Sequence, residues 1–285
     1  MNCIICNGNS HSLFQKNGYW ICECEVCHHR FANISPSNNH PHNVYGDQYF
    51  YGGDCGYPNY FDEEKILTSH GRHYASLLSA YMDPGNMLDV GCAAGFILKG
   101  FQDCGWIGMG IEPNLKMAEY ARSILGTKVI NTPFEEFQSN MQFDLISMIQ
   151  VIPHFFNLRK ALQVAAGLTK PGGYWLVETW NRESFIARIL GKHWHEYCPP
   201  SVLHWFSPKG INRLAAQFGF QEVYRGRPAK KISGKHVKFV LGQNADNSSV
   251  HGIFNHIVSA IPNQITIPYP LNDIFWSLLK KNYAV

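Results

Sequence analysis

The 285-residue sequence contains no stretch near the roughly 18 uninterrupted apolar residues that a membrane-crossing helix needs. Its opening segment, MNCIICNGNS, lacks the basic-then-apolar order of an export signal, so a soluble, cytoplasmic protein is the expectation. Charge is scarce: 16% of residues are charged, and 24 Lys plus Arg against 21 Asp plus Glu leave a formal +3. So small an excess disfavours a polyanion as the main partner; nucleic acid would need a local basic patch. What is abundant is apolar and aromatic. Hydrophobic residues make up 45%, with 18 Phe, 14 Tyr and 7 Trp, which excludes disorder as the dominant state. At roughly 100 to 200 residues per domain, the length allows one large α/β domain with a small module.

Nine cysteines in a chain without an export signal point to metal ligands or plain thiols before a disulfide framework. Cys55, Cys92, Cys104 and Cys198 are scattered, whereas Cys3-x2-Cys6 and Cys24-x2-Cys27 form two pairs separated by 17 residues. That spacing lets two tight turns bring four thiolates around one tetrahedral Zn2+. Tyr19-Trp20-Ile21 lies between as a short hairpin strand would, and the whole reads as a structural zinc ribbon over residues 1–35. A core is inadequate at this size, so the metal would supply the folding free energy. Cys22 is the spare thiol.

Ile66, Leu67, His70, Tyr74, Leu77, Leu78 and Tyr81 recur at helical spacing until Asp83-Pro84-Gly85 ends the run. Beyond it, strand-like segments at 87–90, 106–111, 128–131, 143–149 and 173–179 alternate with helical ones at 95–103, 114–125 and 157–168, as a parallel sheet requires. Phe143 to Val151 is almost continuously apolar, as in a central strand covered on both faces.

Chemistry concentrates in LDVGCAAGF, residues 88–96: a strand ends near Asp89, and Gly91 and Gly95 flank a tight turn into a helix. A dinucleotide fingerprint would place a third glycine where Phe96 stands. Glu112, about 20 residues on at the next strand end, is placed to accept both hydroxyls of a ribose.

With GIEPN (110–114), FDLISMIQVIPHF (143–155), LTKPGGYWLVE (168–178) and HEYCPPSVLHWFSPKGINRLAAQFGF (195–220), this loop resembles the successive motifs of class I S-adenosylmethionine (SAM)-dependent methyltransferases, in particular small-molecule enzymes of sugar and secondary-metabolite pathways. The resemblance implies a Rossmann-like sheet, mostly parallel with its last strand antiparallel, helices on both faces, and a leading zinc ribbon. It divides the chain into the ribbon at 1–35, a linker and lid helix at 36–82, and the methyltransferase domain at 83–285, with a helical insertion at about 228–268 and a closing antiparallel strand at 273–280. It places Asp89, Gly91, Cys92, Ala93 and Gly95 around the methionine and ribose portions of SAM, Glu112 on the ribose diol, Pro113 under the adenine, Thr132 and Phe134 at its edge and face, and Gln150 near the sulfonium. Two departures stand out. Ala93 replaces the middle glycine, which is tolerable if its φ stays negative. Pro153-His154 stands where many relatives carry Glu-His.

Methyl transfer is an in-line displacement governed by positioning, and a hydroxyl acceptor also needs a proton acceptor nearby, a role suited to histidine. His154, just past the carboxyl end of its strand, is the first candidate, and His204, in a cluster of His193, Trp194, His195, Glu196, Tyr197 and Trp205 over the same mouth, the second. Trp194 or Trp205 could stack on a ring or sugar. Arg225 to Lys238 is basic enough for a phosphate but reads more readily as a solvated face. The expectation is a SAM-dependent enzyme that O-methylates a small-molecule acceptor, a sugar, nucleotide-linked compound or secondary metabolite. A sugar C-methyltransferase and an RNA base methyltransferase with a zinc-binding recognition module are the alternatives, the latter disfavoured by the weak charge and the lack of an Asn/Asp-Pro-Pro-aromatic motif. Oligomeric state is not readable.

Overall fold

The computed structural model describes residues 2–34, 44, 46–50, 59–123, 125–235, 238, 262, 265–269 and 271–283. The N-terminal hairpin pairs β1 (Ser10–Lys16) with β2 (Tyr19–Cys24) across Asn17-Gly18, both residues at positive φ as a tight hairpin turn demands. β3 (Arg30–Asn33) adds to β2, and β9 (His204–Trp205), from the far end of the chain, completes this four-stranded sheet. The ribbon is thus joined to the larger domain by backbone pairing.

A short helix α1 (Asp47–Phe50) precedes the long α2 (Glu64–Leu78). The main sheet contains β4 (Asn86–Val90), β5 (Ile107–Ile111), β6 (Lys128–Ile130), β7 (Phe143–Ile149), β8 (Thr169–Trp180), β10 (Phe220–Gly226) and β13 (Ile274–Lys281), in the order β10-β13-β8-β7-β4-β5-β6. β6 to β8 run parallel, while β13 is antiparallel to β8 and to β10. α3 (Phe96–Gln102), α4 (Leu115–Ser123), α5 (Leu158–Leu168), α6 (Phe185–Leu190) and α7 (Pro208–Ala216) fill the connections. Asn157 and Ser207 cap α5 and α7 through side-chain oxygens that accept backbone N–H bonds.

Alternating residues of β8 divide between two cores. Trp175 and Val177 pack with α5 and α7 through Leu158, Leu162, Ile211 and Leu214, whereas Leu176 faces α2 and α3 through Leu78, Leu98 and Phe101. Each such buried side chain contributes roughly 1.5 to 3 kcal/mol. α2 and α3 cross at backbone contact, where a Cβ on Gly71 would stand 2.1 Å from the Ile97 carbonyl oxygen. α2, in the segment expected as linker and lid helix over 36–82, packs closely on α3; residues 35–43, 45 and 51–58 of that segment lie outside the described residues. The expected helical insertion also lies largely outside them, and its ends are strands: β11 (Lys231–Ser233) pairs antiparallel with β12 (Thr266–Pro268). No helix among the described residues is long and apolar enough to cross a membrane.

Candidate active site and metal centre

β4 delivers the chain into the Gly91–Gly95 turn at the carboxyl edge of the sheet. Gly91 has φ +66° and sits so close to the next connection that a Cβ would lie 2.5 Å from Val151 Cγ2. Ala93 has φ +48°, against the expectation of a negative value. A left-handed non-glycine residue costs roughly 1 to 2 kcal/mol, and strain of that kind clusters at ligand-binding turns.

Opposite the turn, Glu112 is 3% exposed, and its two oxygens accept one backbone N–H each, from Ala93 and Asn114, both at 2.8 Å. This fixes the carboxylate and leaves one further lone pair per oxygen, the number a vicinal diol needs. Burial pushes its pKa up to about 7 against the two N–H bonds, and burial likewise raises Asp89 to about 7 although Ser147 Oγ donates to it at 2.6 Å. Asn114 caps the following helix by accepting from Met117 N. Pro113 and Thr132 are half-buried, Cys92 is buried against Ala118, Ala121 and Val129, and Phe134 is packed in the main core on Phe155.

At the end of β7, Gln150 also has a left-handed backbone, φ +56°. Its Nε2 donates to Glu178 Oε1 at 2.8 Å, and its N–H to the Glu178 carbonyl at 2.9 Å. Glu178 is fully buried and paired with His70 Nε2 at 2.9 Å and with the Tyr74 hydroxyl. Burial would raise its pKa, yet His70, Lys230 and Tyr74 together outweigh burial and hold it at about 2. This network was missed in the sequence. A lone Glu in the apolar run of β8, and a His on the apolar face of α2, were the signals.

The candidate bases separate. His154 Nδ1 lies 2.6 Å from the Ser201 carbonyl oxygen, so Nδ1 holds the proton; burial lowers its pKa, opposed by the Ser201 and Gln150 carbonyls. His204, expected to overhang the mouth, is a buried wedge between the modules. Its Nε2 faces the Phe155 carbonyl at 3.2 Å, its Nδ1 faces His29 Nε2 at 3.4 Å, and burial pushes it down to about 4. Both nitrogens are engaged, which leaves no lone pair for an acceptor. Trp194 and Trp205, expected as stacking platforms, are fully buried, with indole N–H groups donating to Asp273 Oδ2 and the Glu196 carbonyl. In the basic stretch, Arg225 pairs with Glu222 and Lys235 with Asp62, as a solvated face would.

In the ribbon, Sγ of Cys3, Cys6, Cys24 and Cys27 lie within 4.8 Å of one another, with Cys3–Cys27 and Cys6–Cys24 at 3.4 Å. Tetrahedral Zn–S bonds of about 2.3 Å imply S–S separations of about 3.8 Å, so the set fits the ion. The two turns repeat one geometry: Asn7 and His28, each just after a Cys pair, have φ near +60°, and their N–H groups donate to the Cys3 and Cys24 carbonyls at 2.8 and 3.0 Å. Ile5, Val26 and Cys27 N–H groups point at Cys3 or Cys24 sulfur at 3.4 Å, as thiolates require. Cys22 instead faces Ser12, and Cys198 is disulfide-bonded, unlike the plain thiol expected of it.

A family described as a methyltransferase domain matches residues 67–224, more than half of the chain. The chain belongs to the class I SAM-dependent methyltransferases. Ubiquinone biosynthesis O-methyltransferase of Rhodopseudomonas palustris (strain TIE-1) is 32% identical over 134 residues, 45% of this chain and 50% of that protein. The Bordetella avium protein of the same name is 27% identical over 157 residues, 50% of this chain and 65% of that one. The chain thus spans about half the length of the curated relatives first matched. A solved SAM-dependent methyltransferase from Thermotoga maritima shares the fold at TM-score 0.51 and 19% identity, covering 77% of this chain and 91% of the other.

Proposed function

We propose that this methyltransferase transfers the SAM methyl group to oxygen of a small-molecule acceptor, with a sugar or secondary metabolite preferred. Carrying the cofactor part is the Glu112 carboxylate, fixed by Ala93 and Asn114 with lone pairs left for a ribose diol. SAM supplies an electrophilic methyl on a sulfonium. The chain's share is to seat the nucleoside on the Gly91–Gly95 turn and Glu112, hold Gln150 at the adjoining strand end, and keep water from the reacting atoms. Support for oxygen comes from relatives named O-methyltransferases, whose match covers 45% of this chain. We also infer that Cys3, Cys6, Cys24 and Cys27 hold one structural Zn2+.

An RNA-reading role for the ribbon draws little support. Lys16 and Arg30 are balanced there by Glu23 and Glu25, and Arg30 is engaged by Glu23 and Tyr197. Incubation with SAM labelled in its methyl group and the small-molecule fraction of a cell extract, followed by mass spectrometry, tests the reading. A labelled product that bears a new methoxy group is expected; label confined to RNA, or on carbon, overturns it.

A further inference from the structure

Next to Glu178, the carboxyl end of β8 and the start of β13 meet at the pair Trp180 and Ile274, on the edge of the sheet that also carries the Gly91–Gly95 turn. Here a half-buried cluster draws on four separate segments. His195 retains 18% side-chain exposure, and its Nε2 lies 3.2 Å from Glu196 Oε1 and 4.0 Å from Asp273 Oδ2. Asp273 is completely buried and accepts from Trp194 Nε1 at 2.9 Å and from the Tyr269 hydroxyl at 3.0 Å. Trp180 meets the His195 ring edge-on at 5.4 Å, and Lys230 Nζ lies 4.7 Å from the Trp180 centroid and 5.5 Å from that of Tyr269. A buried carboxylate is costly unless its partners repay it, and an arrangement retained at the mouth of a site is a functional candidate.

We propose that His195 takes the proton of the acceptor hydroxyl, in a subsite walled by Trp180, Tyr269 and Lys230 and backed by Glu196 and Asp273. This rests on the O-methyl-transfer reading above. Pairing with Glu196 requires Nε2–H, so Nδ1 carries the lone pair of the neutral ring. As the acceptor oxygen bonds to the methyl carbon, the C–S bond breaks with its electron pair passing to sulfur. The hydroxyl proton goes to Nδ1, giving an imidazolium whose charge Glu196 and Asp273 offset. Geometry separates His195 from its rivals: the nitrogens of His204 are both engaged, and His154 Nδ1 is taken up by the Ser201 carbonyl. Electrostatics agree. Burial disfavours the imidazolium of His195 and Lys230 opposes it, but Glu196 and Asp273 prevail and raise its pKa, whereas His154 and His204 are lowered. Trp180 also replaces Trp194 and Trp205 as the ring able to meet an acceptor, because it is half-buried and they are not.

The test uses the full-length zinc-loaded chain, labelled SAM, and the small-molecule fraction of a cell extract. His195→Ala should lower turnover roughly 10^2- to 10^4-fold, abolish the acid limb of the pH-rate profile, keep its SAM affinity by calorimetry, and regain rate with added imidazole. His195→Gln, chosen to keep the fold if Ala does not, should be equally slow. Near-normal turnover in both overturns the assignment while leaving the methyltransferase reading intact; no labelled product from the unaltered chain overturns both. Independently of turnover, the His195 imidazole should titrate above 6.5 by NMR and lower in Glu196→Gln. A midpoint below 6.5 in the unaltered chain removes it.

Discussion

Glu112 concentrates the cofactor chemistry in one side chain. Its replacement by Ala should weaken SAM binding by about 1 to 3 kcal/mol in calorimetry, from the lost charge-assisted hydrogen bonds; an unchanged affinity would take it out of the site. Its raised pKa, like that of Asp89, means that the folded chain holds protons which the unfolded chain has released. Their share of the ligand-free protein's stability should therefore decline as pH rises from about 4 to about 7 and level off above, against an opposite share from the buried His29, His154 and His204, whose lowered pKa values favour the folded chain as pH rises. Glu112→Gln should flatten that decline, as read from melting midpoints across the window. The turn offers a sharper contrast. Gly91→Ala drives a methyl into Val151 at a positive φ and should destabilise by about 1 to 3 kcal/mol, whereas Ala93→Gly relieves its strain and should be neutral or slightly stabilising by denaturant titration. The acidic and glycine positions were legible because local spacing sets them. The left-handed φ of Ala93 was not, since an alanine there reads as ordinary backbone until the Glu112 bond to its N–H is seen.

Periodicity made the helices and strands legible to within a few residues, from the tripeptide stop after α2 to the capping Ser207 of α7. Tertiary pairing was not legible. Tyr269 stands 74 residues from His195, and Asp273 stands 79 from Trp194, so nothing in the local pattern announces that subsite. The same holds for α2, whose His70 reads as one more apolar-face position until Glu178 appears opposite it. That buried pair should respond asymmetrically. His70→Leu alone should cost about 3 to 5 kcal/mol by denaturant unfolding, while His70→Leu with Glu178→Leu should recover much of it. A double variant no more stable than the single one would show that the network does more than join helix to sheet.

Across the whole molecule, Cys3, Ile5 and Cys24 share one core with Phe206, Ile211 and Leu214. The ribbon, read from the sequence as a separate module, packs into the core of the larger domain. Cys24→Ser should release zinc and lower the melting temperature of the entire chain, whereas Cys22→Ser should keep the metal; metal analysis with thermal melts distinguishes them. A ribbon that melts alone, with SAM binding retained, would contradict this coupling. The rung between β3 and β9 has a further consequence, for the order of synthesis. His29 and His204 meet although 175 positions apart, and closing a loop of that length costs on the order of 4 to 5 kcal/mol. On the ribosome the first sheet must wait with an open edge until more than two thirds of the chain has been made. Early capture of a metal ion by the four thiolates would give this nascent hairpin a local clamp during that interval, so zinc supply during translation should govern the yield of folded protein more than zinc supplied afterwards.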